Sequence, residues 1–224
     1  MTLVLASASP RRQELLKNAG IEFVVRPANI QEIRQSSETP EEFAERMARD
    51  KAKAVWDNAV HSHTQQNARK ALAADDAGLK DPTSRKPREV GHPYDPSQRF
   101  ALGADTIVVV GNEVLGKPAD ADDAARMLRL VSGRAHSVIT GVCLVGDRFE
   151  DVRSETTTVH FSVLTEPEIT SYVQSGEPMD KAGAYAIQGI ASQWISKIEG
   201  DYNNVVGLPV DLVLRMLCEH GAAG

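Results

Sequence analysis

Apolar positions along this chain recur with the two periods that mark strands and helices, and small or polar residues cluster between them as turns. Residues 3–6 are a short apolar run that predicts a buried strand. A turn over residues 7–10 leads into a helix over residues 11–19, with Leu15 and Leu16 facing inward and Gly20 as its stop. Residues 21–26 read as extended and residues 27–37 as a loop. Thr39, Pro40 and Glu42 make a T-x-x-E capping box with proline at the first helical position, which predicts a helix running to about Val60.

Periodicity then fades. Residues 61–98 are polar and rich in Asn, Asp, Gly, Lys and Pro, too poor in apolar surface to offset the entropy of ordering. They read as a surface insertion with one short alanine-rich helix around residues 68–74. Residues 101–110 predict an apolar strand, and Gly111-Asn112 a two-residue hairpin into residues 113–115. Asp120 caps a helix that carries Ala124, Met127, Leu128 and Val131 on one face and stops near Gly133. Residues 136–145 and 153–163 predict two long strands. Thr165 with Glu168 caps a helix that ends at Gly176, residues 193–198 predict a strand, and residues 208–219 a final amphipathic helix. Strands and helices are interspersed without strict alternation. The expected fold is therefore α/β or mixed α+β around a mixed sheet, with no internal repeat.

Composition narrows the function. The 224 residues suit one large domain, or two lobes sharing a cleft. A net charge of -6 argues against bulk binding to nucleic acid but leaves room for a local basic pocket. No stretch is long and apolar enough to span a bilayer, and the basic residues near the N-terminus follow the short apolar run rather than precede it, unlike a signal peptide. Cys143 and Cys218 lie far apart, outside any CxxC pair or zinc-ligand spacing. A reducing, cytoplasmic location without a structural disulfide is the expectation.

Several segments could carry chemistry. Ser7-x-Ser9-Pro10-Arg11-Arg12 joins a strand to a helix, with Ser9 as natural N-cap. The free amides and positive dipole of such a helix start attract anions, and two hydroxyls and two guanidinium groups add to the attraction; the plain alternative is a capped helix with exposed arginines. Lys51 shares a helical face with Ala44, Ala48 and Val55, so it either meets an anionic partner or snorkels from the core edge. Asp105 interrupts an apolar strand beside Gly103 and Ala104. A carboxylate there holds a metal, acts as a base or caps a turn. Lys117, in Gly-Lys-Pro, and His136 are weak signals alone. In the stretch from Asp180 to Gly189, small residues alternate with polar ones. Gln188 either reads a base edge or is an exposed turn residue. A Walker A loop, a G-x-G-x-x-G fingerprint after a strand and a G-x-S-x-G elbow are all missing, so ordinary kinase and dehydrogenase readings lose ground.

Taken together, LASASPRRQELL, GADTIVVV, GKP, SGRAHSV, DKAGAYAIQG and YNNVVGLP occur in the order of the matching segments of the Maf family of nucleoside triphosphate pyrophosphatases, which the chain resembles over nearly its whole length outside residues 61–98. The DKAGAYAIQG segment is most similar to the branch acting on dTTP and UTP. The resemblance implies a single domain over residues 1–224, two-lobed around a cleft and related to the inosine triphosphatase architecture. It implies hydrolysis of a nucleoside triphosphate to the monophosphate and diphosphate with a divalent metal, Mg or Mn. Asp105 matches the family's proton acceptor, and Arg11, Thr106 and Gln188 match positions linked to substrate choice. Ser7, Arg12, Glu32, Lys51, Lys117 and Asp180 match other polar positions of the cleft, with Glu32 and Asp105 as candidate metal ligands. The expected partner is the nucleotide substrate, with neither nucleic acid nor membrane, and a homodimer is left open. Two other functions stay open: a non-catalytic nucleotide-binding regulator of cell division, and a pyrophosphatase for modified or purine nucleotides.

Overall fold

The computed structural model of the chain describes residues 2–76 and 99–221. Its frame is a seven-stranded mixed sheet. The strands are β1 (Thr2–Leu5), β2 (Phe23–Val25), β3 (Arg99–Val110), β4 (Glu113–Leu115), β5 (Ala135–Gly146), β6 (Phe149–Phe161) and β7 (Ile195–Glu199). Their order is β2-β1-β3-β5-β6-β7, with β4 also on β3. β1 runs parallel to β2 and β3, and every other pair is antiparallel. Six helices pack around the sheet: α1 (Pro10–Asn18), α2 (Pro40–Asp76), α3 (Ala121–Val131), α4 (Glu166–Gln174), α5 (Tyr202–Val206) and α6 (Val210–Glu219).

The long strand β3 organises everything else. On one edge it pairs with β5 from Ala101 to Val109. On the other edge β1 pairs only as far as Leu102, where the Ala6 amide donates to its carbonyl, and β4 takes over only at Val108. Between them that edge of β3 has no strand partner. This opening, at the carboxyl end of a parallel strand, is where open sheets place ligands.

The two faces of β3 are used differently because side chains alternate along a strand. On one face α2 lies directly on the sheet. Its buried stripe Ala44, Ala48 and Ala52 sits above Gly141 and Gly103, which have no Cβ to hold the helix away. On the opposite face the core divides. Leu102, Ala104, Val142 and Leu144 pack with α1 and α6, whereas Val108, Val110, Val138 and Val159 pack with α3 and α4. Thr106 and Thr140, paired in register, stand between the two apolar clusters. The two-lobed character lies in that polar seam.

Local signals account for most boundaries. Thr39 and Glu42 form the reciprocal box at the start of α2, with bonds of 2.8 and 3.1 Å. Asp120 accepts from the Asp123 amide at 2.8 Å at the start of α3. Three departures stand out. Helix α2 does not stop at Val60 but continues to Asp76; no Gly or Pro occurs in residues 61–76, so nothing breaks the backbone. The remainder of the expected insertion, residues 77–98, lies outside the described residues. Strand β6 begins at Phe149 rather than Arg153, because its charged first turn, Glu150 to Arg153, is held by pairing with β5 and by ion pairs rather than by an apolar pattern. Helix α5 is five residues long, too short for its period to register in the sequence.

Candidate active site

At the gap beside β3 lies a cavity of about 1160 Å³. Of the residues singled out in the sequence, Ser7, Ser9, Arg11, Arg12, Glu32, Lys51, Asp105, Thr106, Lys117, Asp180 and Gln188 line it, and His136 does not. Topology explains the convergence. The loop from β1 to α1 ends beside residues 103–107 of β3. Alternation then sends Asp105 toward α2 and Thr106 toward α1, and both are reached from the open edge.

At the start of α1, Ser9 is the N-cap, its hydroxyl facing the Arg12 amide at 3.5 Å. The two arginines, equivalent in the sequence, are not equivalent here. Arg12 is fixed on three sides: Nε donates to the Gly207 carbonyl at 2.8 Å, one terminal nitrogen to Ser7 Oγ at 3.2 Å and the other to Thr106 Oγ1 at 3.0 Å. Arg11 has no hydrogen-bond or ion-pair partner among the described residues, and neither has Lys117. Thr106 is committed inward, to Arg12, to Thr140 at 3.0 Å and to the Gly207 carbonyl at 3.3 Å, so its hydroxyl acts through Arg12.

Facing this pole is an ionic cluster. Lys51 Nζ lies 2.6 Å from Asp105 Oδ1 and 2.6 Å from Glu32 Oε1. Lys51 and Asp105 are buried, whereas the Glu32 side chain is half exposed on the loop between β2 and α2. Burial, the largest effect, holds the Asp105 carboxyl above the ordinary carboxylate range despite the nearby charges of Lys51 and Arg12. For Glu32, burial pushes the same way, but the Lys51 hydrogen bond and charge, helped by Lys117 and Arg12, outweigh it and the carboxyl lies below its usual range. Asp105 is thus the better proton acceptor of the two. Asp180 pairs with its neighbour Lys181 at the rim. Gln188 is exposed at the tip of a turn closed by the Gly189 amide on the Ala186 carbonyl at 3.2 Å.

His136 stands apart from this group. It is buried beneath the cavity with Nε2 2.8 Å from the Tyr185 hydroxyl, and burial lowers its pKa from 6.5 to about 4. Cys143 and Cys218 are free thiols.

Sequence reasoning missed the parts that hold Arg12. The Gly207 carbonyl is carried by the loop after α5. That segment is tied to the sheet by the Asn204 carbonyl, which accepts from Thr140 at 3.2 Å, and by Asn204 Nδ2, which donates to Val138 O and Thr157 Oγ1, both at 3.0 Å. A backbone carbonyl has no signature in a sequence, and a buried Asn looks like any other loop residue.

The family profile described as Maf-like protein matches residues 2–220. The chain is similar to a "dTTP/UTP pyrophosphatase" of Koribacter versatilis, 47% identical over 221 residues, which cover 99% of this chain and 95% of that one. It is 44% identical to a protein of the same description from Symbiobacterium thermophilum, over 98% of this chain and 94% of that one. A third, from Syntrophomonas wolfei, is 42% identical over 97% and 96% respectively.

Proposed function

The chain belongs to the Maf family, and on that premise we propose that it is a nucleoside triphosphate pyrophosphatase, hydrolysing dTTP and UTP to the monophosphate and diphosphate. The observation that carries the reading is the buried carboxylate of Asp105, paired with Lys51, in one cavity with a helix N-terminus and the cations Arg11, Arg12 and Lys117. A triphosphate supplies the ion-pair partner that Arg11 and Lys117 lack among the described residues.

In this reaction a water oxygen attacks the α-phosphorus, the bond from that phosphorus to the bridging oxygen breaks, and its electron pair leaves with diphosphate. Charge gathers on phosphate oxygens, so placement and electrostatics supply most of the rate. The amides at the start of α1, with Arg11, Arg12 and Lys117, hold those oxygens. Asp105 accepts the proton of the attacking water, and its raised pKa makes it a stronger base than an ordinary carboxylate. Lys51 keeps that carboxylate oriented and shields it from Glu32. Gln188 meets the base, its amide offering both a donor and an acceptor to a pyrimidine edge.

The donor set suits a divalent metal that arrives with the nucleotide. Glu32 and Asp105 converge on one positive centre, the Lys51 ammonium. Among the described residues no group of three or more His, Cys, Asp and Glu side chains forms a site of its own. Mg²⁺ in particular is usually held by one or two carboxylates together with substrate phosphates. When bound, Mg or Mn would neutralise phosphate charge and acidify a bound water, with Glu32 and Asp105 as its protein ligands. Two free thiols suit work in the reducing cytoplasm.

The test gives purified protein each nucleoside triphosphate in turn with Mg²⁺ and measures diphosphate release. Turnover of dTTP and UTP, lost in Asp105→Asn, is the expected result. Full activity in Asp105→Asn defeats the role of Asp105; binding without turnover supports a regulator instead; and a preference for purine or modified nucleotides defeats the pyrimidine assignment.

A further inference from the structure

The turn that carries Gln188 is held from behind, by residues outside the cavity. At one end, the Ala186 amide donates to the Tyr172 hydroxyl at 3.2 Å. At the other, the Ile190 amide donates to the Glu177 carboxylate, at 3.0 Å to Oε1 and 3.3 Å to Oε2. The two ends are joined because the Tyr172 hydroxyl itself donates to Glu177 Oε1 at 2.9 Å. One carboxylate and one phenol thus hold both flanks of a short turn that has Ile187 and Gln188 at its centre.

Two further features show that the seat is built for the carboxylate. A Cβ on Gly189 would lie 2.0 Å from Glu177 Oε1 and 2.5 Å from its Cδ, so only glycine lets the carboxylate come against the turn. Tyr172 is itself immobilised, fully buried and edge-on to Trp194 with ring centres 5.3 Å apart. The turn needs such support. Gln188 is exposed and its side chain makes no hydrogen bond among the described residues, and a residue that reads a base must be held within a fraction of an ångström.

We infer that Glu177, acting with Tyr172, is a positioning residue for nucleotide discrimination, holding the Gln188 turn at the height where its amide meets the base. Glu177 is not among the residues that line the cavity. Its removal therefore acts on the choice between nucleotides, through KM for the preferred ones, more than on the chemical step. The inference rests on the reading of Gln188 as the side chain that meets the base.

The experiment compares kcat/KM for dTTP with that for GTP in Glu177→Ala, Glu177→Gln, Tyr172→Phe, Gln188→Ala and the double variant Glu177→Ala with Gln188→Ala. Glu177→Ala should lower the dTTP-to-GTP ratio about tenfold, the scale of one charge-assisted hydrogen bond. Most of that change should lie in KM for dTTP. Glu177→Gln should keep the ratio, because an amide oxygen can accept from both Tyr172 and Ile190. The double variant should lose no more than Gln188→Ala alone, since both changes disable one device. Tyr172→Phe keeps the ring packing and removes the hydroxyl. It carries the same expectation should Glu177→Ala not fold. Loss of discrimination in Gln188→Ala but not in Glu177→Ala or Tyr172→Phe overturns the inference alone, as does an additive double variant. An unchanged ratio in Gln188→Ala overturns the reading of Gln188 and this inference with it.

Discussion

The approach of α2 to the sheet can be tested at a single atom. An added Cβ at Gly103 would lie 2.0 Å from the Ala48 carbonyl oxygen and 2.7 Å from the Ala52 amide, both of them helix backbone. Bringing the first contact out to an ordinary 3.4 Å separates helix and strand by about 1.4 Å. Lys51 lies between those two helix residues. A rigid shift of that size stretches its 2.6 Å bond to Asp105 beyond the upper limit of about 3.2 Å for a hydrogen bond. Overpacking of this kind costs about 1–3 kcal/mol. For a chain of this size that is a fall in Tm of about 2–12 °C. Gly103→Ala is therefore expected to lose both stability, by thermal unfolding, and turnover, by diphosphate release, and Gly141→Ala to do the same through Ala44. Gly116→Ala is the control for the Tm readout, because nothing lies within 4 Å of its Cβ and its backbone is unstrained. A Gly103→Ala protein with an unchanged Tm and full turnover would refute the argument that these glycines set the position of Lys51.

Three other outcomes follow. Burial lowers the His136 pKa from 6.5 to about 4, so the unfolded chain takes up a proton there before the folded one does; stability from this group is complete above pH 6.5 and falls by about 3 kcal/mol as pH drops to 4. Urea midpoints at pH 7 and pH 5 should differ less in His136→Gln than in the parent, and an identical difference contradicts the assignment. Arg12→Lys cannot reproduce the three-way fork to Gly207, Ser7 and Thr106. Steady-state kinetics should show KM for the triphosphate at least about tenfold higher, and an unaltered KM refutes the role of the fork. Thr39→Ala removes the capping box of α2 on the surface and should cost about 1 kcal/mol in urea unfolding with turnover preserved.

The sequence by itself determined the pieces whose causes are local. Capping at Ser9, Thr39, Asp120 and Thr165 depends on a few neighbouring residues, so the helix starts are legible from the chain alone. The capped, arginine-bearing start of α1 is legible for the same reason, and the motif order made the remaining polar positions of the cleft legible by resemblance. Boundaries held by long-range pairing were not. The charged start of β6 depends on its β5 partner, and α5 is too short to show a period. Tertiary structure alone decided which groups meet. The burial of Lys51 against Asp105 requires a helix laid across Gly103 and Gly141, from segments far apart in the chain. The difference between Arg11 and Arg12 rests on a carbonyl at Gly207, and the seating of Gln188 on a carboxylate at Glu177. The physical reason is common to all three. A side chain's type sets what it can bond, but its partner, burial and pKa are fixed by groups that folding brings to it.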